Sequence, residues 1–352
     1  MKRENKNETP SAEEWRALYK AAIEFRDLKP WTWMSEMDLF GVQNPHDEEM
    51  GYCCVLGELG EVFALAVYLG SEGLAGYLRM QSGEVDADDP DTLHLQKCLM
   101  ASFENREDLE QADLRTIKRL GFKFRGRGAW PQFRSFLPGY LPWYLTSAEA
   151  KFLTVALEQA VHIAHRHQKD PTLLTSLGET TLLARVSAGE DEHGDWRDRW
   201  MALPELEEEA TRSIPLDELR LRKITKGVKT KRGTWEVDSF YFPGAVEEGE
   251  RPFFPCIGVI MEHGTGLALH FWLEPPWQFV PLFTENLLTF VEEANMLPEG
   301  VLVTKEELFD VLEPMTSRLG IDLDFVGILE NVEEFKASMI THLSGFAEDF
   351  GV

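Results

Sequence analysis

The chain has 352 residues, 43% of them hydrophobic, and a formal charge of −26. That length is more than one hydrophobic core commonly serves, so two domains are expected. The charge disfavours nonspecific attraction to a polyanion, because the summed field repels phosphate at long range.

No run of about 18 apolar residues exists to cross a membrane, since the richest stretch, Phe253–Phe283, is broken by Glu262, His263, Glu274 and prolines. Met1–Pro10 is polar, carries both signs and has no apolar run, which predicts no secretory leader and a cytoplasmic location. Cys53, Cys54, Cys98 and Cys256 include no C-x-x-C spacing and are expected as reduced, buried thiols rather than as disulfides or a zinc knuckle.

In chain order, Ser11 with Glu14 forms a capping box, and Trp15, Leu18, Tyr19 and Ala22 follow at helical spacing, so a first helix runs to about Leu28, before Pro30. Residues 30–45 read as an aromatic-rich loop. Gly51–Leu56 and Val62–Leu69 read as a hairpin around Gly57–Gly60. Ser71 opens a helix toward Met80, residues 84–91 form an acidic loop, and Leu99–Phe103 is a strand. Glu107–Leu120 is helical and closed by Gly121. Residues 122–137 are strand and loop, with Phe122 and Phe124 expected inside and Lys123 and Arg125 in water. Thr146 with Glu149 caps a helix through about His167, and Thr180–Val186 is a strand. The charged stretch 205–232 reads as the least compact part of the chain. A boundary near residue 190 gives an α+β domain over 1–190 and a second domain over 191–352.

The second domain begins with three strand-like runs, Thr234–Phe242, Cys256–His263 and Leu267–Leu273, the last two joined by the turn His263–Gly266. Then come a helix over 282–296, a strand over 300–303, a helix capped by Thr304 and Glu307, an alternating strand over 321–326, and a last helix capped by Asn331 and Glu334. The chain is thus α+β or α/β in two domains, the second a mixed sheet in the order β-β-β-α-β-α-β-α. That order resembles a ribonuclease H-like domain.

Active nucleases of that resemblance hold two divalent metals about 4 Å apart on carboxylates. Asp238 stands mid-way along the first strand, where such a carboxylate is expected, and is the catalytic candidate. Thr304 and Lys305 occupy the next position, and a lysine there opposes cation binding. Glu285, Glu292, Glu293, Glu333 and Glu334 are the remaining carboxylates that the following helices can offer. His162 and His165, with Glu158, share a helix face, but cations near a helix C-terminus complement its dipole, and no metal or cofactor is expected. Residues 86–91 lack the glycine and the glutamate of an EF-hand loop. Phosphate-binding glycine loops and nucleophile elbows are absent.

Two basic islands interrupt the acidic background. Residues 115–134 hold seven cations and no acid, as do residues 220–232, which leaves the rest of the chain at about −40. Phe122–Trp130 interleaves aromatics with cations, a composition that suits base stacking and phosphate neutralisation and equally an amphipathic strand. Lys123, Arg125, Arg127, Trp130, Arg222, Lys223, Lys229 and Lys231 are therefore the candidate contacts for a nucleic acid or a protein partner.

Pro30–Met34, Phe40-Gly41, Asn44-Pro45, Gly51-Tyr52, Gly60–Leu65 and Glu72–Leu74 together resemble an uncharacterised bacterial family made of domains of unknown function. The resemblance spans most of both halves and supplies no catalytic residues. The expected function is a non-catalytic interaction protein that contacts nucleic acid or nucleoprotein. A metal-dependent nuclease centred on Asp238 and a protein adaptor using a Trp31/Trp33 surface are the alternatives.

Overall fold

The computed structural model describes residues 8–82, 92–175, 181–187, 195–204 and 216–350. The acidic loop expected at 84–91 lies outside them. Two compact units form, one from Met1–Pro138 with Pro142–Glu207, the other from Glu208–Val352 with Gly139–Leu141. Among the described residues no helix is long and apolar enough to cross a membrane.

The first unit runs α1 (Ala12–Leu28), β1 (Phe40–Gln43), β2 (Met50–Leu56), β3 (Ala64–Leu69), α2 (Gly70–Ser82), α3 (Thr92–Leu95), β4 (Cys98–Glu104), α4 (Gln111–Leu120), β5 (Trp130–Phe136), α5 (Ser147–His167), β6 (Thr181–Ser187) and β7 (Trp196–Ala202). Its seven-stranded sheet has the order β5-β4-β3-β2-β1-β6-β7. Every pair is antiparallel except β1 with β6.

Local signals explain the helix ends. The capping boxes at Ser11/Glu14 and Thr146/Glu149 form as expected, and each satisfies backbone donors that a helix start leaves bare. Gly121 ends α4 in the left-handed conformation that glycine adopts without strain. One apolar side of the sheet packs on α1 and α5 through residues such as Leu18, Phe25, Cys53, Leu65, Leu153 and Leu157. The other holds Tyr52, Cys54, Ala66, Tyr68 and Leu74. Because both faces are covered, the adjacent thiols Cys53 and Cys54 are both buried, on opposite sides of β2. Burial also pushes the Cys98 thiol up to about 12.

Three features depart from the sequence reading. Residues 122–129 form no strand, and the strand begins only at Trp130. The presumed loop 30–45 contains β1, four residues that β2 and β6 pair on either side. β7, missed because Arg197, Asp198 and Arg199 mask any alternation, adds an edge strand. It is held by a charge relay in which Asp198 accepts from Arg166 of α5 at 2.5 and 2.9 Å and from Arg185 of β6 at 2.7 Å.

The second unit runs α6 (Glu218–Gly227), β8 (Thr230–Lys231), β9 (Thr234–Tyr241), β10 (Cys256–Glu262), β11 (Leu267–Glu274), α7 (Pro276–Ala294), β12 (Met296–Leu297), β13 (Gly300–Val303), α8 (Glu306–Leu319), β14 (Asp322–Phe325) and α9 (Glu330–Phe350). Its main sheet has the order β11-β10-β9-β13-β14. The β9–β10 and β10–β11 pairs are antiparallel, and β9–β13 and β13–β14 are parallel.

One face carries the larger core, where Trp235, Val237, Ile260 and Trp272 meet Phe283, Leu287, Leu312 and Met315 of α7 and α8. The other carries Phe240, Ile257, Val259 and Met261, under Val332 and Phe335 of α9. Within the stretch 205–232, read as the least compact part of the chain, residues 205–215 lie outside the described residues and α6 is well packed, since Asp217 caps it by accepting from the Leu219 and Arg220 amides and it buries Leu221 and Ile224. The expected capping role of Thr304 is not taken, Lys305 being the N-cap residue without a side-chain bond. Asn331 lies inside α9 and is used elsewhere.

Two measurements test this packing. A Cβ at Gly258 would lie 2.2 Å from Trp272 Cζ2, and Trp272 is 8% exposed. Gly258→Ala is expected to lower unfolding free energy by about 2–3 kcal/mol, as overpacking does, measured by urea titration. The bond from Arg166, with Arg185 assisting, holds the Asp198 carboxyl at about 2. Its stabilisation is present above the ordinary carboxylate range and is lost as pH falls through about 2. Asp198→Asn is expected to flatten the decline in thermal midpoint between about pH 4 and pH 2.

Candidate functional site

β9 is the central strand of the second sheet, and it carries two acids on the face turned toward α9. Glu236 is 0% and Asp238 1% exposed. An isolated charge in such a place costs several kcal/mol, so the surroundings must answer it.

Glu236 is answered by three donors. His263 Nδ1 lies 2.7 Å from Oε1, Asn331 Nδ2 donates to the same oxygen at 2.6 Å, and the Val332 amide donates to Oε2 at 3.2 Å. The last two come from the first turn of α9, where unsatisfied amides and the helix dipole favour a negative group. Asn331 also donates to the His263 carbonyl at 3.1 Å, which ties the turn before β11 to the same helix.

Asp238 is answered by two lysines. Lys336 Nζ of α9 lies 2.9 Å from Oδ2, and Lys305 Nζ lies 3.4 Å from Oδ1. Lys305 donates its hydrogen bond to the Ser239 carbonyl instead, so Oδ1 is ion-paired without being hydrogen-bonded. Burial pulls the Lys336 ammonium down, but Asp238 and Glu333 outweigh it and leave its pKa above the ordinary value. Cations of the chain's own thus stand at the carboxylate that was the catalytic candidate.

Three of the other acids expected near a metal, Glu285, Glu292 and Glu333, are ion-paired. Arg220 of α6 pairs with Glu285 at 2.5 Å and Glu292 at 2.8 Å, and Glu333 pairs with Lys336 at 2.8 Å. His162, His165 and Glu158 are exposed along α5. Among the described residues no three His, Cys, Asp or Glu side chains converge as a metal-holding group.

The basic islands lie in different units. In the first, Arg115, Lys118, Arg119, Lys123, Arg125 and Arg127 are exposed, and among the described residues none of them makes an ion pair. Arg134 does not share this surface, being buried between Asp113 at 2.7 Å and Glu110 at 3.0 Å. The interleaved aromatics turn inward. Phe124 is 9% exposed, Phe122 lies 5.1 Å from Tyr19, and Trp130 lies edge-on to Phe124 at 5.8 Å with Arg106 over its ring. Trp130 therefore packs on the core. In the second unit Arg222, Lys223, Lys226, Lys229 and Arg232 are exposed, while Lys231, also exposed, donates to the Gly320 carbonyl.

Trp31 and Trp33 are likewise occupied. Trp31 sits 5.0 Å from Phe63 and 5.8 Å from Phe103, and Trp33 Nε1 donates to the Ala164 carbonyl at 3.2 Å.

With this geometry in hand, comparison with family models divides the chain at the same two levels. Residues 15–185 match DUF7309 and residues 220–340 match DUF6930, each described as a domain of unknown function. Two stretches of the chain are thus each similar to a domain of unknown function. A comparison with curated proteins gives no match. The buried acids and their lysines all fall within the DUF6930 stretch, and the first basic island within the DUF7309 stretch.

Glu236 is a residue that sequence reasoning passed over. The signal was available, because alternation along β9 places it on the face of Asp238. Lys336 offered no such signal, since its partner is remote in sequence. Lys336→Met leaves Asp238 with Lys305 alone and is expected to cost about 2–3 kcal/mol in urea unfolding, less than full loss of a buried pair. Adding Asp238→Asn to that variant is expected to recover more than half of the loss.

Proposed function

We propose that this chain is a non-catalytic binding protein whose basic islands engage nucleic acid through its phosphates. The observation that carries the reading is the exposure of the island cations, Lys123, Arg125 and Arg127 in one unit and Arg222, Lys223 and Lys229 in the other. On a chain of −26 such clusters are where counter-charge is free to meet a polyanion, at short range and with strong salt dependence. The aromatics between the first set are taken up by the core, so the surface offers charge without a stacking platform, and contact with phosphates rather than bases follows.

Two further observations support the reading. The second sheet's order, its first strand central and flanked by the second and the fourth, with antiparallel then parallel pairing, favours a ribonuclease H-like scaffold. That support is by analogy of fold. The lysines on Asp238 favour a scaffold put to use without metal chemistry. Four buried cysteines, none of them in a disulfide, suit a reducing, cytoplasmic setting.

The test is fluorescence polarisation with labelled single-stranded and duplex DNA and RNA across a salt series. Wild-type protein is expected to bind at low salt with little dependence on base sequence. Charge reversal at Lys123, Arg125 and Arg127 is expected to weaken binding at least tenfold and reduce the salt slope by about 2–3. Reversal at Arg222, Lys223 and Lys229 is expected to act in the same direction. Binding unaffected by both sets would remove the islands from the function.

A further inference from the structure

The two main sheets have four edges, and three of them are guarded. β5 contains Pro131 and is bridged by Trp143, whose backbone exchanges hydrogen bonds with Ser135 at 2.8 and 2.9 Å. β7 presents Arg197, Asp198 and Arg199 in succession. β14 has only four residues, two of them Asp322 and Asp324. Short length, proline and charge are the usual means by which an edge avoids pairing with another chain.

β11 uses little of this protection. It is eight residues long, contains no Pro, Lys or Arg, and has no acid before its last residue, Glu274. Among the described residues no strand pairs its outer side. Its register against β10 breaks once, between Ile260 and Met261, which leaves His270–Glu274 regular. Leu267 is 62%, Phe271 55% and Leu273 46% exposed. Three large hydrophobes of this strand face solvent, against one on β7, Trp200, and one on β14, Phe325.

We propose that the outer edge of β11 is a strand-addition site for an extended segment of a partner protein that alternates apolar and basic residues. In this mode backbone bonds to the free edge supply affinity, and alternate side chains of the segment lie over Phe271 and Leu273. The basic character follows from the rim. Glu262 stands opposite Leu267 at one end of the strand pair and Glu274 closes the other, and Lys336 on the neighbouring helix is held by Asp238 and Glu333. A second copy of this chain is a poor occupant, because it would bring a further −26 to the same acidic rim. The proposal is independent of the polyanion reading.

The probe is a fluorescein-labelled eight-residue peptide of alternating valine and lysine, titrated into the full chain by anisotropy. Its controls are the valine–glutamate peptide and a valine–lysine peptide N-methylated at alternate residues, which keeps the charge and loses strand donors. The unmodified valine–lysine peptide is expected to bind at least tenfold more tightly than either control and to slow amide exchange within residues 267–274. Phe271→Thr with Leu273→Thr is expected to weaken it at least fivefold with the thermal midpoint unchanged. Should that variant not fold, Leu267→Lys is expected to weaken binding by repulsion at an exposed position. Equal binding of the N-methylated peptide, protection that falls outside 267–274, or a dimer that protects this strand without peptide would overturn the proposal.

Discussion

The second unit rests on how two buried carboxylates of one strand are neutralised. β9 lies at the centre of its sheet with both faces covered, so Glu236 and Asp238 cannot be left to water. The remedy is geometric. One helix, α9, carries partners for both acids. Asn331 and the Val332 amide meet Glu236, Lys336 meets Asp238, and Phe335 meets Phe240. The face is closed by a polar clasp followed by an aromatic one, with Lys305 and His263 entering from loops at either side.

That constraint decides what the site can do. Two ammonium groups stand against Asp238, and they raise the electrostatic cost of a divalent cation arriving there. The neighbouring acids have their own cations, Glu285 and Glu292 sharing Arg220. On the proposed reading, the acids of this strand serve the fold and interaction falls to the surface. In the first unit the same division holds by a different route. A sheet covered on both faces draws Phe122, Phe124 and Trp130 inward, and leaves Lys123, Arg125 and Arg127 as the outward residues of the same segment.

Much of this was legible where the signal was local. Both capping boxes, the glycine at the end of α4 and the three opening strands of the second sheet follow from residues within a few positions of one another. β1 and β7 did not, because a short strand paired on both sides and a charged edge strand carry little alternation of their own. α6 was hidden by its cations, and only Leu221 and Ile224 marked its buried side. In the site, Asp238 and the opposing Lys305 could be placed from strand position. Asn331 was read as a helix cap, since a local role is what its sequence neighbours suggest, and its actual partner, Glu236, lies 95 residues away.

The most direct test of the central claim is to incubate the purified protein with labelled DNA, RNA and hybrid duplex at low salt, with Mn²⁺ and without, and to run the products on a denaturing gel. The account predicts intact substrate in every lane, alongside salt-sensitive binding in the same samples. Manganese-dependent cleavage that disappears in Asp238→Asn would contradict it, and would mean that the lysines at Asp238 give way to metal.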